Sequence, residues 1–211
     1  LDLQQAGGEI PTKAFAVTFD DGFANNLTHA LPILRRLNVP ATIFLATAYI
    51  GSVQPFPFDS WMIEARSIES YPDAWRPLGI AECEELLASE LIELGCHSHT
   101  HADFRGNPGH FADDLGQSLE FLRQRLGVER PLFSYPFGVP QLGFADPSLA
   151  NVVMQSGCRC ALQIGNALVD RSTNPFHLNR FDVPSGGTGL SLASKLDGWA
   201  EGLRGLWRTL W

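Results

Sequence analysis

The chain has 211 residues, 45% hydrophobic and 18% charged. This composition excludes a disordered tail, a collagen and a disulfide-dense miniature scaffold, and the length suits one domain with a sizeable core. Fifteen basic against 23 acidic residues leave a net charge of −8. With Lys13 and Lys195 the sole lysines, no basic stripe marks a nucleic acid or an anionic membrane as a partner.

No run reaches the roughly 18 apolar residues of a transmembrane helix. The first residues show neither a signal-peptide pattern nor an initiator Met and read as a processed or excised boundary. Ala14–Phe19 reads as a first strand and Ala41–Leu45 as a second. Between them Leu31, Leu34 and Leu37 recur at helical spacing, with Pro32 suited only to a first turn. This βαβ opening predicts parallel strands. Residues 51–79, with four prolines around Trp61 and Trp75, read as an insertion holding a short helix near 59–68.

The alternation then continues. A Glu- and Leu-rich helix over 81–94 runs into a strand near Ile92–Gly95. A helix over 113–126 carries Leu115, Leu119, Leu122 and Leu126 on one face and stops at Gly127. Leu132–Tyr135 is a strand, 147–156 a helix, Arg159–Gln163 a strand, and Phe176–Val183 a last strand. Gly186–Gly189 reads as a joint before a helix over 190–211 bearing Trp199, Trp207 and Trp211. Such alternation fits a single α/β domain over 1–211, either a barrel or an open doubly wound sheet. Cys83, Cys96, Cys158 and Cys160 are too scattered for a disulfide framework and read as buried small hydrophobes, the last two on one face of a strand.

Two clusters could do chemistry. Asp20-Asp21-Gly22 follows the first strand, at the strand end where α/β folds place their sites. His97-Ser98-His99-Thr100-His101 holds half of the six histidines, again just past a strand. A His-x3-His spacing can turn both rings to one ion, and two histidines with one carboxylate leave positions open for water and substrate.

These residues carry a resemblance. Thr18-Phe19-Asp20-Asp21-Gly22 matches the first signature of the polysaccharide deacetylases, the NodB-homology carbohydrate esterases. His97-Ser98-His99-Thr100-His101 matches their second, and Phe133-Ser134-Tyr135-Pro136-Phe137-Gly138 is similar to their third. The resemblance spans roughly residues 14–184. It implies a distorted (β/α)7 barrel and a divalent metal, most often Zn²⁺, with Co²⁺, Ni²⁺ or Fe²⁺ as alternatives. By position, Asp21, His97 and His101 would hold the metal and Asp20 would be the general base, with Ser98 supporting the histidine pair. The Phe137 N–H would complete an oxyanion hole while its ring lines the groove.

The family's third motif begins with an Arg where Ser134 stands here, and Arg180 is the candidate substitute. The family's late Leu-x-x-His motif is absent, which makes His177, the last histidine, the candidate general acid. The implied activity is hydrolysis of acetyl groups from N-acetylated, or alternatively O-acetylated, carbohydrate, with an N-acetylglucosamine oligomer or polymer as partner. Two alternatives stand beside it. One is a catalytically impaired carbohydrate-binding barrel. The other is an amidohydrolase-type metal hydrolase using a His-x-His pair, His97 with His99 or His99 with His101. Phe56, Phe58, Trp61 and Trp75 form either a sugar-stacking wall or core beneath the insertion. Both the cell envelope and the cytoplasm remain open as compartments.

Overall fold

A computed structural model describes residues 14–58, 70–165, 167–183 and 186–196. Six strands alternate with helices: β1 (Val17–Phe19), β2 (Ala41–Leu45), β3 (Ile92–Cys96), β4 (Phe133–Ser134), β5 (Ala161–Ile164) and β6 (Leu178–Arg180). All five pairings are parallel and sequential, from β1 to β6. All strands therefore end at one rim. The sheet also curls, because Arg180 on β6 reaches Thr18 and Asp20 at β1 across the edge that the ladder leaves open. This is the distorted barrel that the resemblance implies.

The α-helices among the described residues are α1 (Leu31–Leu37), α2 (Ile80–Ala88), α3 (Pro108–Leu126), α4 (Pro147–Gln155) and α5 (Gly189–Leu196). A wider turn, Asn26–Ala30, precedes α1, with the Leu31 N–H bonded to the Asn26 carbonyl. That wider turn leads directly to Pro32, which lacks the N–H for a regular bond. Asn107 and Asp146 cap α3 and α4, each ahead of a proline at the first helical position. Gly127 ends α3 in a left-handed conformation (φ +67°).

Some boundaries differ from the sequence reading. The helix expected over 81–94 stops at Ala88, where Ser89 caps it through the Leu86 carbonyl before β3 begins. α3 starts at Pro108 rather than near 113, so His110 lies in its first turn. Cys158 and Cys160 precede β5 and join different apolar clusters, although all four cysteines are buried and free. The helix near 59–68, Trp61, and the last helix beyond Leu196 with its three tryptophans lie outside the described residues.

Most of the core lies between sheet and helices, where Ile43, Leu45, Leu94, Cys96 and Phe133 meet Leu86, Phe111, Leu115 and Leu122. A smaller cluster of Phe44, Leu132, Cys160 and Leu178 fills the barrel interior. Phe44 fits there because its β3 neighbour in the register is Gly95, whose Cβ would stand 2.5 Å from the Phe44 ring. This plug closes the barrel beneath the rim and leaves the chemistry on top.

Candidate metal centre

The rim gathers the two motifs of the sequence. After β1 the chain turns sharply at Asp21 (φ +71°) and Gly22 (φ +88°). Gly22 is required twice over, since a Cβ there would also stand 2.7 Å from Leu45 Cδ2. After β3 the chain carries His97, then turns through left-handed Ser98 (φ +64°) and His101 (φ +55°). Phe137, past β4, is left-handed as well (φ +61°). Such conformations cost of order 1–3 kcal/mol each and persist only where the surroundings over-determine them. Among the described residues, four of the six non-glycine residues with positive φ lie at this rim, which marks it as the functional end.

Asp21 Oδ1 lies 3.4 Å from His97 Nε2 and 3.5 Å from His101 Nε2. One ligand atom from each of the three residues falls within 4.8 Å of the others. Atoms bound tetrahedrally at 2.0–2.2 Å from one ion would stand about 3.4 Å apart, so the donor set fits a zinc-sized cation. Ring orientation agrees. His97 Nδ1 donates to the Ser134 carbonyl at 2.8 Å, which leaves Nε2 as the lone-pair nitrogen. Burial, together with the neighbouring His97, pushes the His101 pKa down to about 3 and keeps that imidazole neutral, as a ligand must be. Phe58 stacks on the His101 ring at 3.9 Å, and Phe137 stands edge-on at 4.8 Å.

Asp20 has a different setting. Its Oδ1 accepts from Arg180 Nη1 and its Oδ2 from Arg180 Nη2, both at 2.8 Å. Arg180 Nη2 also donates to Ser134 Oγ (2.7 Å) and Nη1 to Thr18 Oγ1 (3.1 Å), while the Ser134 hydroxyl donates to Asp20 Oδ2 at 3.4 Å. Burial opposes ionisation of Asp20, but the facing His97 and the Arg180 guanidinium outweigh it and hold the carboxyl below its usual value. Asp20 Oδ2 stands 3.8 Å from His97 Nε2, adjacent to the three-residue cluster.

The structure thus brings Asp20, Asp21, His97, His101, Phe137 and Arg180 to one rim. It does not bring His177. That residue precedes β6, three positions from Arg180 and so on the opposite face by strand alternation, and its Nδ1 bonds Gln163 Oε1 on the outer side of β5. His177 therefore faces away from the rim where a general acid would have to act. His99 also stands apart, with Nδ1 on Thr47 Oγ1 at 2.9 Å, so neither His-x-His pair forms a ligand set. Phe56 and Trp75 are core, whereas Phe58 stacks on the clustered His101. Asp114 and Ser118 of α3, buried under the histidine loop, were missed. The available signal was a carboxylate and a hydroxyl on the same helical stripe as Phe111, Leu115 and Leu122.

Comparison with known proteins agrees with this geometry. The family model for polysaccharide deacetylases matches residues 7–160. The poly-β-1,6-N-acetyl-D-glucosamine N-deacetylase of Staphylococcus epidermidis is 24% identical over 141 residues, 63% of this chain and 43% of that protein. The Staphylococcus aureus protein of the same name is 22% identical over 182 residues, 82% of this chain and 55% of that one. The chain thus spans about half the length of the curated relatives it matches. Among solved structures, IcaB from Ammonifex degensii superposes with a TM-score of 0.72 at 21% identity, covering 90% of this chain and 76% of that one. The Streptococcus pyogenes deacetylase PplD, solved with acetate, gives 0.70 at 15% identity, over 92% and 75%. Both share the fold.

Proposed function

Because the chain belongs to the polysaccharide deacetylase family, we propose that it hydrolyses the acetamide of N-acetylated carbohydrate, with a divalent cation held by Asp21, His97 and His101. The observation that carries this reading is the division of labour between neighbouring acids. Asp21 faces the two imidazoles, whereas Asp20 is turned to Arg180 and Ser134. A bound cation would supply Lewis acidity and a water of lowered pKa.

The chain's own groups supply the rest. Asp20, ionised and fixed by Arg180, accepts a proton as water adds to the acetamide carbon. Among the described residues no acceptor takes the Phe137 N–H, which is then available for the developing oxyanion. The C–N bond breaks, acetate leaves, and the amine takes up a proton. With His177 outside the barrel, Asp20, having taken the proton from water, returns it. The two staphylococcal relatives direct the substrate choice to β-1,6-linked N-acetylglucosamine.

The test is acetate release from β-1,6- and β-1,4-linked N-acetylglucosamine oligomers, using chelated protein, Zn²⁺-reloaded protein and Asp20→Asn. We expect release that depends on Zn²⁺, that Asp20→Asn lowers by about 10²- to 10⁴-fold, and that favours the β-1,6 series. Glycan binding without release from any oligomer would sink the reading in favour of an impaired, carbohydrate-binding barrel.

A further inference from the structure

We infer that Asp114 is a positioning residue for the metal centre, clamping the loop that carries His97 and His101 although it touches neither ring. The inference rests on the reading that these histidines and Asp21 hold a divalent cation. Asp114 lies on α3 with 2% exposure, and among the described residues its hydrogen bonds come from the loop between the two imidazoles. Oδ1 accepts from the His99 N–H at 2.6 Å. Oδ2 accepts from the Thr100 N–H at 3.1 Å and the Thr100 hydroxyl at 2.5 Å.

One helical turn on, fully buried Ser118 extends the clamp by donating to the Ser98 carbonyl at 3.0 Å. Thr47 Oγ1 donates to Ser118 Oγ and stands 2.9 Å from His99 Nδ1. From the other side, Thr47 and Ala48 donate their N–H groups to the Ser98 and His99 carbonyls, and Tyr49 donates its hydroxyl to the Thr100 carbonyl. Ser98 Oγ accepts from the His101 N–H at 3.0 Å.

A carboxylate is costly to bury unless donors satisfy it, and a charge serving the fold alone could be replaced by apolar packing. Here the donors are the amides of a loop whose ends, Ser98 and His101, are held in left-handed conformations. Those conformations set the angle between the imidazoles. If the clamp is released, the loop can relax and the two Nε2 atoms lose their common focus.

The experiment measures metal affinity separately from fold stability. Apo protein is titrated with Zn²⁺ against a chromophoric chelator, and the apo form is melted, for wild type, Asp114→Asn and Leu122→Ala. Asp114→Asn keeps the volume but turns an NH2 group against a loop donor. We expect its Zn²⁺ Kd to rise about 10- to 100-fold, as for other groups that orient metal ligands, with an altered visible spectrum of the Co²⁺ form. Leu122→Ala, in the same helix but away from the loop, lowers the apo Tm and leaves Kd within about threefold. Wild-type affinity in Asp114→Asn, or equal Kd losses in both variants, would overturn the clamp. Wild-type protein that fails to take up one Zn²⁺ would overturn the metal reading and the clamp with it. Should Asp114→Asn not fold, Thr100→Val removes one donor from the loop side. It is expected to weaken Zn²⁺ severalfold, and an unchanged Kd there also overturns the clamp.

Discussion

Arg180 and Asp20, 160 residues apart in sequence, meet in a two-pronged ion pair that joins β6 to the end of β1. Among the described residues the pair spans the gap that the sheet ladder leaves between β6 and β1, so the guanidinium both bridges the barrel's open seam and aims the carboxylate. Phe44 lies 5.7 Å beneath the guanidinium, which joins the apolar plug to the chemistry above it.

The planar fork, rather than the charge alone, is what Asp20 requires. Arg180→Lys keeps a cation but cannot hold both carboxylate oxygens and the Ser134 hydroxyl together. We expect kcat for acetate release to fall by at least about tenfold, with KM nearly unchanged, since a misaligned base weakens the transition state more than ground-state binding. Steady-state kinetics on one N-acetylglucosamine oligomer decides it, and wild-type kcat in the Lys variant would refute the orienting role.

A second ion pair has a structural task. Arg76 donates to Glu82 Oε2 at 2.9 Å and Oε1 at 2.7 Å, and the Gly79 N–H donates to Glu82 Oε2, tying the 70–79 segment to the first turn of α2. The Arg76 hydrogen bond holds the Glu82 carboxyl below its ordinary value against the opposing effect of burial, with the Gly79 N–H adding to it. A depressed carboxyl stabilises the fold above its unfolded pKa, and that contribution is lost as pH falls through the folded one. With both side chains about a quarter exposed, the pair contributes about 1 kcal/mol. Urea titrations should therefore show Glu82→Gln less stable than wild type at neutral pH, the gap shrinking as pH is lowered through the carboxylate range. A gap that stays constant with pH would show that charge is not its source.

Inside the barrel, Gly95→Ala places a methyl 2.5 Å from Phe44 Cδ1 and 3.1 Å from the Leu132 carbonyl oxygen. Overpacking of this kind costs about 1–3 kcal/mol. Phe44→Leu removes the ring that the methyl meets, so the double variant should be more stable than the sum of the single changes predicts, by about 0.5–3 kcal/mol. Denaturant unfolding of the four proteins measures that coupling, and strict additivity would mean that the carbonyl, not the ring, sets the limit.

The parallel strands and the candidate site at their ends were legible because each rests on a local signal. Alternating apolar runs mark the strands, and parallel pairing brings their C-terminal ends, with Asp20-Asp21 and His97 to His101, onto one rim. Arg180 was legible only through the vacancy that Ser134 leaves in the family's third motif. His177, singled out as the last histidine where the late motif is absent, lies at an odd spacing from Arg180 and so on the outer face, a parity that residue type alone does not reveal. Asp114 was hidden for the opposite reason. A polar residue on a helical stripe reads as a flaw in the apolar pattern until the loop it satisfies can be seen.

Phe137 offers two separable contributions, a backbone N–H and a ring. Phe137 is 42% exposed and its ring stands 4.8 Å from both His101 and Phe144, so it lies along the approach to the clustered histidines. Phe137→Ala removes the ring and keeps the N–H. Loss of an aromatic platform costs about 0.5–1.5 kcal/mol of binding, equivalent to a KM rise of about two- to twelvefold, while kcat is expected to stay near wild type because the N–H proposed as oxyanion donor remains. Stability should change little, since so much of the ring already faces solvent. Kinetics on an oligomer series separates the two contributions. If kcat falls while KM holds, the ring acts by setting the backbone of the turn, and the left-handed φ of +61° at this residue becomes the feature to alter next.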